Sequence, residues 1–80
     1  MFRTRFKYKN YALWRTSDNI VMLYVPKAIL GTTSHALSFD NGESWCVAYD
    51  GKTIATNKTG TITEIIDFCV EINKENGYEE

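Results

Sequence analysis

Uncharged and basic residues alternate strictly over residues 2–9, with Phe, Thr, Phe and Tyr at the even positions and Arg or Lys at every odd position from 3 to 9. This period of two predicts a β-strand with one face toward a core. Residues 11–16 predict a second strand, or a continuation of the first beyond a bend at Asn10. The uninterrupted apolar segment 20–25 is typical of a central strand, because both of its faces are hydrophobic.

Two dipeptides with strong hairpin propensity, Asn-Gly at 41–42 and Asp-Gly at 50–51, divide the middle of the chain. They predict a three-stranded antiparallel meander. With two-residue loops, Val47 lies between Ala36 and Ile54, on the same face as Trp45 and Tyr49. The other face then carries smaller residues: His35, Leu37, Cys46, Ala48, Thr53 and Ala55.

A helix is predicted after residue 60. Thr61 and Glu64 have the spacing of a capping box, and apolar residues recur at helical intervals from Ile62 to Ile72. Gly77 is a suitable stop. The sequence therefore predicts a single α+β domain over residues 1–80, a small antiparallel meander of about five strands with one C-terminal helix packed on one face. Which face it covers is left open.

Composition supports a globular chain, because 44% of its 80 residues are hydrophobic, 14% are aromatic and 24% are charged. The longest apolar run, residues 20–25, is far shorter than the roughly 20 residues of a spanning helix. We therefore expect a cytoplasmic protein without membrane association. Cys46 and Cys69 are predicted to be buried free thiols, as that compartment favours.

Charge is distributed unevenly, with +5 over residues 1–16 and −5 over residues 61–80. The positive end predicts a basic stripe that binds protein or nucleic acid, protects a sheet edge, or faces the acidic helix. The negative end predicts an acidic helix face that is solvated or docks to a basic groove. The candidate binding residues are Arg3, Arg5, Lys7, Lys9, Tyr11, Trp14 and Arg15 in the stripe, and Glu64, Asp67, Glu71 and Glu75 on the helix.

Residues 38–45 read Ser-Phe-Asp-Asn-Gly-Glu-Ser-Trp and match S-x-D-x-G-x-x-W at each fixed position. The segment resembles an Asp-box, a hairpin motif repeated in sialidase-like propellers. One copy cannot form a propeller, so the resemblance implies a structural role. It implies that the Asp40 carboxylate accepts hydrogen bonds from loop N–H groups and that Trp45 packs beneath.

Catalytic motifs are absent from the sequence. His35 is the one histidine, and there is no glycine-rich phosphate loop, nucleophile elbow or metal-ligand cluster. Asp40 and Glu43 lack a third ligand, so no metal site and no cofactor are predicted. We expect a non-catalytic protein of phage or mobile-element type, a monomer or homodimer, that binds a larger protein and modulates or inhibits it. The alternative is a nucleic-acid-binding regulator that uses the N-terminal strands.

Overall fold

The computed structural model describes residues 2–16, 18–28 and 33–77, with side chains from residue 8 onward. Within these residues the chain forms one antiparallel sheet, whose six strands are neighbours in chain order, and one helix after the last strand. The α+β meander with a C-terminal helix is thus confirmed. The elements are β1 (Phe2–Tyr8), β2 (Tyr11–Arg15), β3 (Val21–Tyr24), β4 (His35–Ser38), β5 (Trp45–Tyr49), β6 (Lys52–Lys58) and α1 (Ile62–Glu75).

The two N-terminal segments form separate strands because the chain reverses at Lys9 and Asn10. Both residues have positive φ, 48° and 71°, as a two-residue type I′ turn requires. Tyr8 consequently pairs with Tyr11, and β1 becomes one edge of the sheet. This reversal accounts for a sixth strand where about five were expected.

The helix covers the face of the sheet that carries Trp45 and Val47. Buried residues alternate along β3, β4 and β5, as expected for strands with one face in a core. Burying each large apolar side chain contributes about 1.5–3 kcal/mol. The core consists of Tyr11, Leu13, Val21, Leu23, Ala36, Trp45 and Val47 from the sheet, and Ile65, Ile66, Cys69 and Ile72 from the helix.

The predicted register is correct on one side of β5 and partly wrong on the other. Val47 pairs with Ala36, as predicted. On β6, however, Val47 pairs with Ala55 instead of Ile54, because two register shifts interrupt the β5–β6 ladder. Ala55, predicted for the other face, is therefore on the covered face, and Trp45 pairs with Lys58.

The capping box is present at the start of α1. The Glu64 amide donates to Thr61 Oγ1 at 3.2 Å, and the Thr61 amide donates to Glu64 Oε1 at 2.7 Å. These bonds satisfy two backbone donors that have no partner inside the helix. The helix ends at Glu75, and Gly77, with φ of 83°, follows the cap residue Asn76. Both predicted helix ends are confirmed.

A buried polar cluster ties the helix to the sheet. Tyr11 Oη donates to the Ser34 carbonyl at 2.8 Å and accepts from Asn73 Nδ2 at 2.8 Å. Asn73 Oδ1 accepts from the Ser34 amide at 2.7 Å, and Ser34 Oγ donates to the Cys69 carbonyl at 2.8 Å. The buried side-chain polar atoms of this cluster thus all have hydrogen-bond partners, as a stable interior requires.

The two cysteines have different environments. Cys69 is buried, and desolvation raises the pKa of its thiol to about 11. Cys46 is only half-buried and lies on the face opposite the helix, so the prediction of two buried thiols is wrong for Cys46. It is wrong because both faces of β5 are apolar and only one is covered.

Candidate functional site

The sheet face opposite the helix, here called the open face, is covered by no other element of the described chain. Cross-strand pairs align Trp14 with Met22, Met22 with Leu37, and Leu37 with Cys46, so one apolar row crosses four strands. All four side chains are half-buried and none belongs to the core. The open face is completed by Ala12, Tyr24, His35 and Ala48.

Phe39 follows β4 directly, and from its position two residues after Leu37 we place it at the end of the open face. Its side chain is 64% exposed, more than that of any other large hydrophobic residue in the described chain. It follows Leu37 by two positions and belongs to the loop of residues 39–44, which replaces the predicted two-residue turn. An aromatic ring this exposed on a small protein indicates an interaction site when it adjoins an apolar patch.

The Asp-box hydrogen bonds hold that loop in one conformation. Asp40 Oδ1 accepts from the Ser44 amide at 2.8 Å and from Ser38 Oγ at 2.7 Å, while Asp40 Oδ2 accepts from Ser44 Oγ at 2.6 Å. The Gly42 amide donates to Ser38 Oγ at 2.8 Å. Trp45 lies beneath, 1% exposed. The geometry implied by the Asp-box resemblance is therefore present, and it presents Phe39 from a fixed backbone.

Asp40→Asn is expected to reduce the acid sensitivity of the fold. Hydrogen bonds from the Ser44 side chain and amide, followed by the Ser38 hydroxyl, lower the pKa of Asp40 from 3.8 to about 2. Because the folded pKa is below the unfolded value, this contribution is fully present above about pH 4 and disappears as the pH falls toward 2. Thermal melts between pH 2 and 7 should show a flatter profile for Asp40→Asn.

The matched control for this pH experiment is Glu43→Gln, which removes the same charge from the same loop. It should keep the acid-induced loss of stability that Asp40→Asn removes, because the hydrogen bonds of Asp40 are intact. Asp67 contributes part of the remaining slope, because its hydrogen bond with Lys9 also lowers its pKa. Superimposable profiles for wild type and Asp40→Asn would contradict the role given to the Asp40 hydrogen bonds.

The basic stripe is only partly described by the structure. The side chains of Arg3, Arg5 and Lys7 lie outside the described residues. Arg3 pairs with Trp14 and Lys7 with Ala12, so both occupy register positions of the open face.

Lys9 instead faces the helix, one of the alternatives predicted for the stripe. Its Nζ lies 2.8 Å from Asp67 Oδ1, to which Tyr8 Oη also donates at 3.1 Å. The hydrogen bond from Lys9 to Asp67 raises the pKa of Lys9. Lys9 and Asp67 are therefore already engaged with each other at the surface.

Tyr11 was predicted to be a surface aromatic, and that prediction is wrong. It is 1% exposed and takes part in the buried polar cluster, because odd positions of β2 face the helix. Trp14 is on the open face and remains a candidate contact. Arg15 donates a hydrogen bond to Asn41 Oδ1, so it supports the Asp-box loop.

Two of the four acidic residues predicted on the helix face have structural roles, and the other two are exposed to solvent. Glu64 caps the helix and Asp67 binds Lys9, whereas Glu71 and Glu75 are exposed in the last turns. The acidic helix face and the open face lie on opposite sides of the protein. A single partner of ordinary size would therefore contact one of them.

The sequence interpretation did not single out Met22, Leu37, Cys46 and Phe39 as candidate contacts. Their alternation with core residues was visible, but both sets are apolar, so the pattern could not tell which set the helix would cover. No group of three or more His, Cys, Asp or Glu side chains within the described residues could hold a metal ion. The one helix described is too short to cross a membrane.

The comparisons with known proteins give no further guide to what this surface contacts. The chain matches no protein-family model, no curated protein and no solved structure. The assignment of function therefore depends on the geometry and chemistry of the open face and the Asp-box loop.

Proposed function

We propose that this chain is a small non-catalytic binding protein that associates with a larger protein through the open face and modulates or inhibits its activity. The observation that carries the proposal is the uncovered apolar row from Trp14 to Cys46. A sheet of this kind ordinarily buries both faces or makes one of them polar. Here the second face is apolar, so its exposure to water is unfavourable. A partner that covers the face would remove this cost.

The size and chemistry of the chain support a binding role. The open face is a strand surface with one histidine, and no group of three or more His, Cys, Asp or Glu in the described part could hold a metal ion, so what the face offers a partner is shape and hydrophobicity. Chains of this length that are rich in Asn, Lys, Tyr and Ile are often phage or mobile-element proteins, and we place the chain in that class and in the cytoplasm. It would act as a monomer or homodimer.

Trp14→Glu combined with Leu37→Glu is expected to abolish binding. Both side chains are half-buried on the open face and outside the core, so two carboxylates there place charge at the centre of the contact without removing core packing. Tagged protein is incubated with nuclease-treated lysate of the source cells. The amount of the protein retained by the wild type should fall at least tenfold for the double variant.

The control variant is Glu71→Lys with Glu75→Lys, which changes two charges on the acidic helix face. It should retain the same protein as the wild type. Circular dichroism must show both variants folded. If only the helix variant loses binding, the binding site is on the helix. If the retained material is lost on nuclease treatment, the nucleic-acid alternative is favoured.

A further inference from the structure

Charge is segregated between the sheet and the rest of the described chain. The six strands contain six of the nine Lys and Arg residues and no Asp or Glu. The described acidic residues lie in the loops and on α1. Any surface formed by strands alone is consequently free of carboxylates, and this includes the central part of the open face.

The positive positions on the open face lie beside its apolar row. Arg3 pairs with Trp14 at one end of that row, and Lys7 pairs with Ala12 two positions along β2. In a two-fold dimer through this face, each copy would bring the same two basic positions and the same row, with no strand carboxylate to compensate. Like charges within an interface oppose association. A second copy of this chain therefore fits the open face poorly.

Single-stranded nucleic acid also fits the face poorly. Sheet platforms that bind single strands use aromatic rings on which successive bases stack. The rings of this surface are Trp14 and Tyr24 on the open face and Phe39 beyond the end of β4, and the non-aromatic Met22 and Leu37 lie between Phe39 and the other two, so the rings form no continuous stacking platform. Tyr11, which would have extended the aromatic surface, is in the core. The apolar centre is better matched to hydrophobic side chains of a protein.

Phe39 supplies the anchor of such a contact. It is the most exposed large hydrophobic residue described, and the Asp40 hydrogen bonds fix the loop that carries it. The Asn41 amide also donates to the Asn19 carbonyl at 2.9 Å, which joins this loop to the β2–β3 turn. A preorganised aromatic side chain loses little entropy on entering a pocket. Such residues often dominate binding energy.

We infer that the open face and Phe39 dock onto a protein surface with an apolar depression surrounded by Asp and Glu carboxylates. The depression receives Phe39 and covers the apolar row, and the carboxylates face the positions of Arg3 and Lys7. This inference rests on the proposed function and adds the chemistry of the partner. It also predicts that Cys46, at the end of the row, becomes inaccessible in the complex.

The first test of this inference measures the affinity of variants for the protein that the tagged wild-type chain retains from the lysate. Arg3→Glu with Lys7→Glu is expected to weaken its affinity about 10- to 100-fold, because like charges are brought together. Phe39→Ala is expected to weaken it about 5- to 30-fold. The control is Lys27→Glu with Lys74→Glu, which makes the same charge change outside the strands and should alter affinity less than about threefold.

The second measurement follows the reaction of Cys46 with a thiol reagent. Cys69 is buried with a raised pKa, so Cys46 reports alone in the folded protein. The recovered protein should slow the reaction at least tenfold at saturation, whereas a 20-nucleotide single-stranded DNA should leave it unchanged. Sedimentation velocity of the isolated chain should show a monomer.

The outcomes separate the two proposals. If the Trp14/Leu37 variant loses the partner but the Arg3/Lys7 and Phe39 variants retain it, the proposed function stands and the inference on partner chemistry is wrong. Unchanged Cys46 reactivity in the complex, protection of Cys46 by DNA, or a dimer dissociated by Leu37→Glu would each overturn the inference. If the wild type retains no protein, both proposals are wrong.

Discussion

Trp45→Ala is expected to lower the free energy of unfolding by about 3–5 kcal/mol, as large-to-small substitutions of buried aromatic residues do. Trp45 is 1% exposed and lies between the helix and the Asp-box loop. A Cβ atom placed on Gly42 would be only 3.7 Å from its Cζ2 atom, so the ring fills the space under the loop. A domain of 80 residues has roughly 4–12 kcal/mol of stability in total. The variant should be largely unfolded at moderate urea concentrations.

Trp45→Phe is the matched comparison, measured by urea denaturation followed by circular dichroism. Among the described side chains, Trp45 Nε1 is the one buried nitrogen or oxygen without a hydrogen-bond partner. Phenylalanine keeps an aromatic ring and removes this costly unpaired donor. We expect its loss to be at most about 2 kcal/mol. Equal losses for the Ala and Phe variants would show that the ring volume is not what stabilises the hairpin.

The elements set by local chemistry could be predicted from the sequence. Thr61 and Glu64 are three residues apart, and their capping bonds depend on nothing outside the first turn. The Asp-Gly turn at 50–51 reverses the chain because both residues adopt positive φ. The hydrogen bonds that Asp40 and Ser38 make in the Asp-box loop likewise lie within residues 38–44. In each case neighbouring residues contain the whole interaction.

Features that depend on distant parts of the chain could not be predicted in the same way. The register of β6 shifts twice, between Ala55 and Lys58, where Asn57 has φ of 54°, and between Thr53 and Ala55, and no local pattern marks either position. The choice of covered face depends on helix packing against two apolar alternatives. This choice buried Tyr11 and left Leu37 half-buried on the open face, so it changed the candidate site more than any error in the strands did.

The buried polar cluster is the clearest example of such a distant interaction, and Asn73→Leu tests it. Asn73 is 4% exposed; its amide donates to Tyr11 Oη and its carbonyl oxygen accepts from the Ser34 amide. Leucine removes both bonds and leaves the Ser34 N–H buried without a partner. Each unsatisfied group costs about 1–3 kcal/mol, so we expect a loss of about 2–4 kcal/mol. Urea denaturation measures this loss, with the exposed neighbour Lys74→Ala expected to change stability by less than about 0.5 kcal/mol.

A double-mutant cycle with Tyr11→Phe determines whether the cluster acts as a unit. Removing the Tyr11 hydroxyl already breaks its bonds to Ser34 and Asn73, so the two losses should be less than additive by at least about 0.5 kcal/mol. Strict additivity would contradict the shared bonds. A neutral Asn73→Leu would mean that apolar packing substitutes for the cluster and that the helix is held on the sheet by its hydrophobic stripe alone. With the predicted loss, the cluster instead fixes which face of the sheet α1 covers, and thereby which face remains open for a partner.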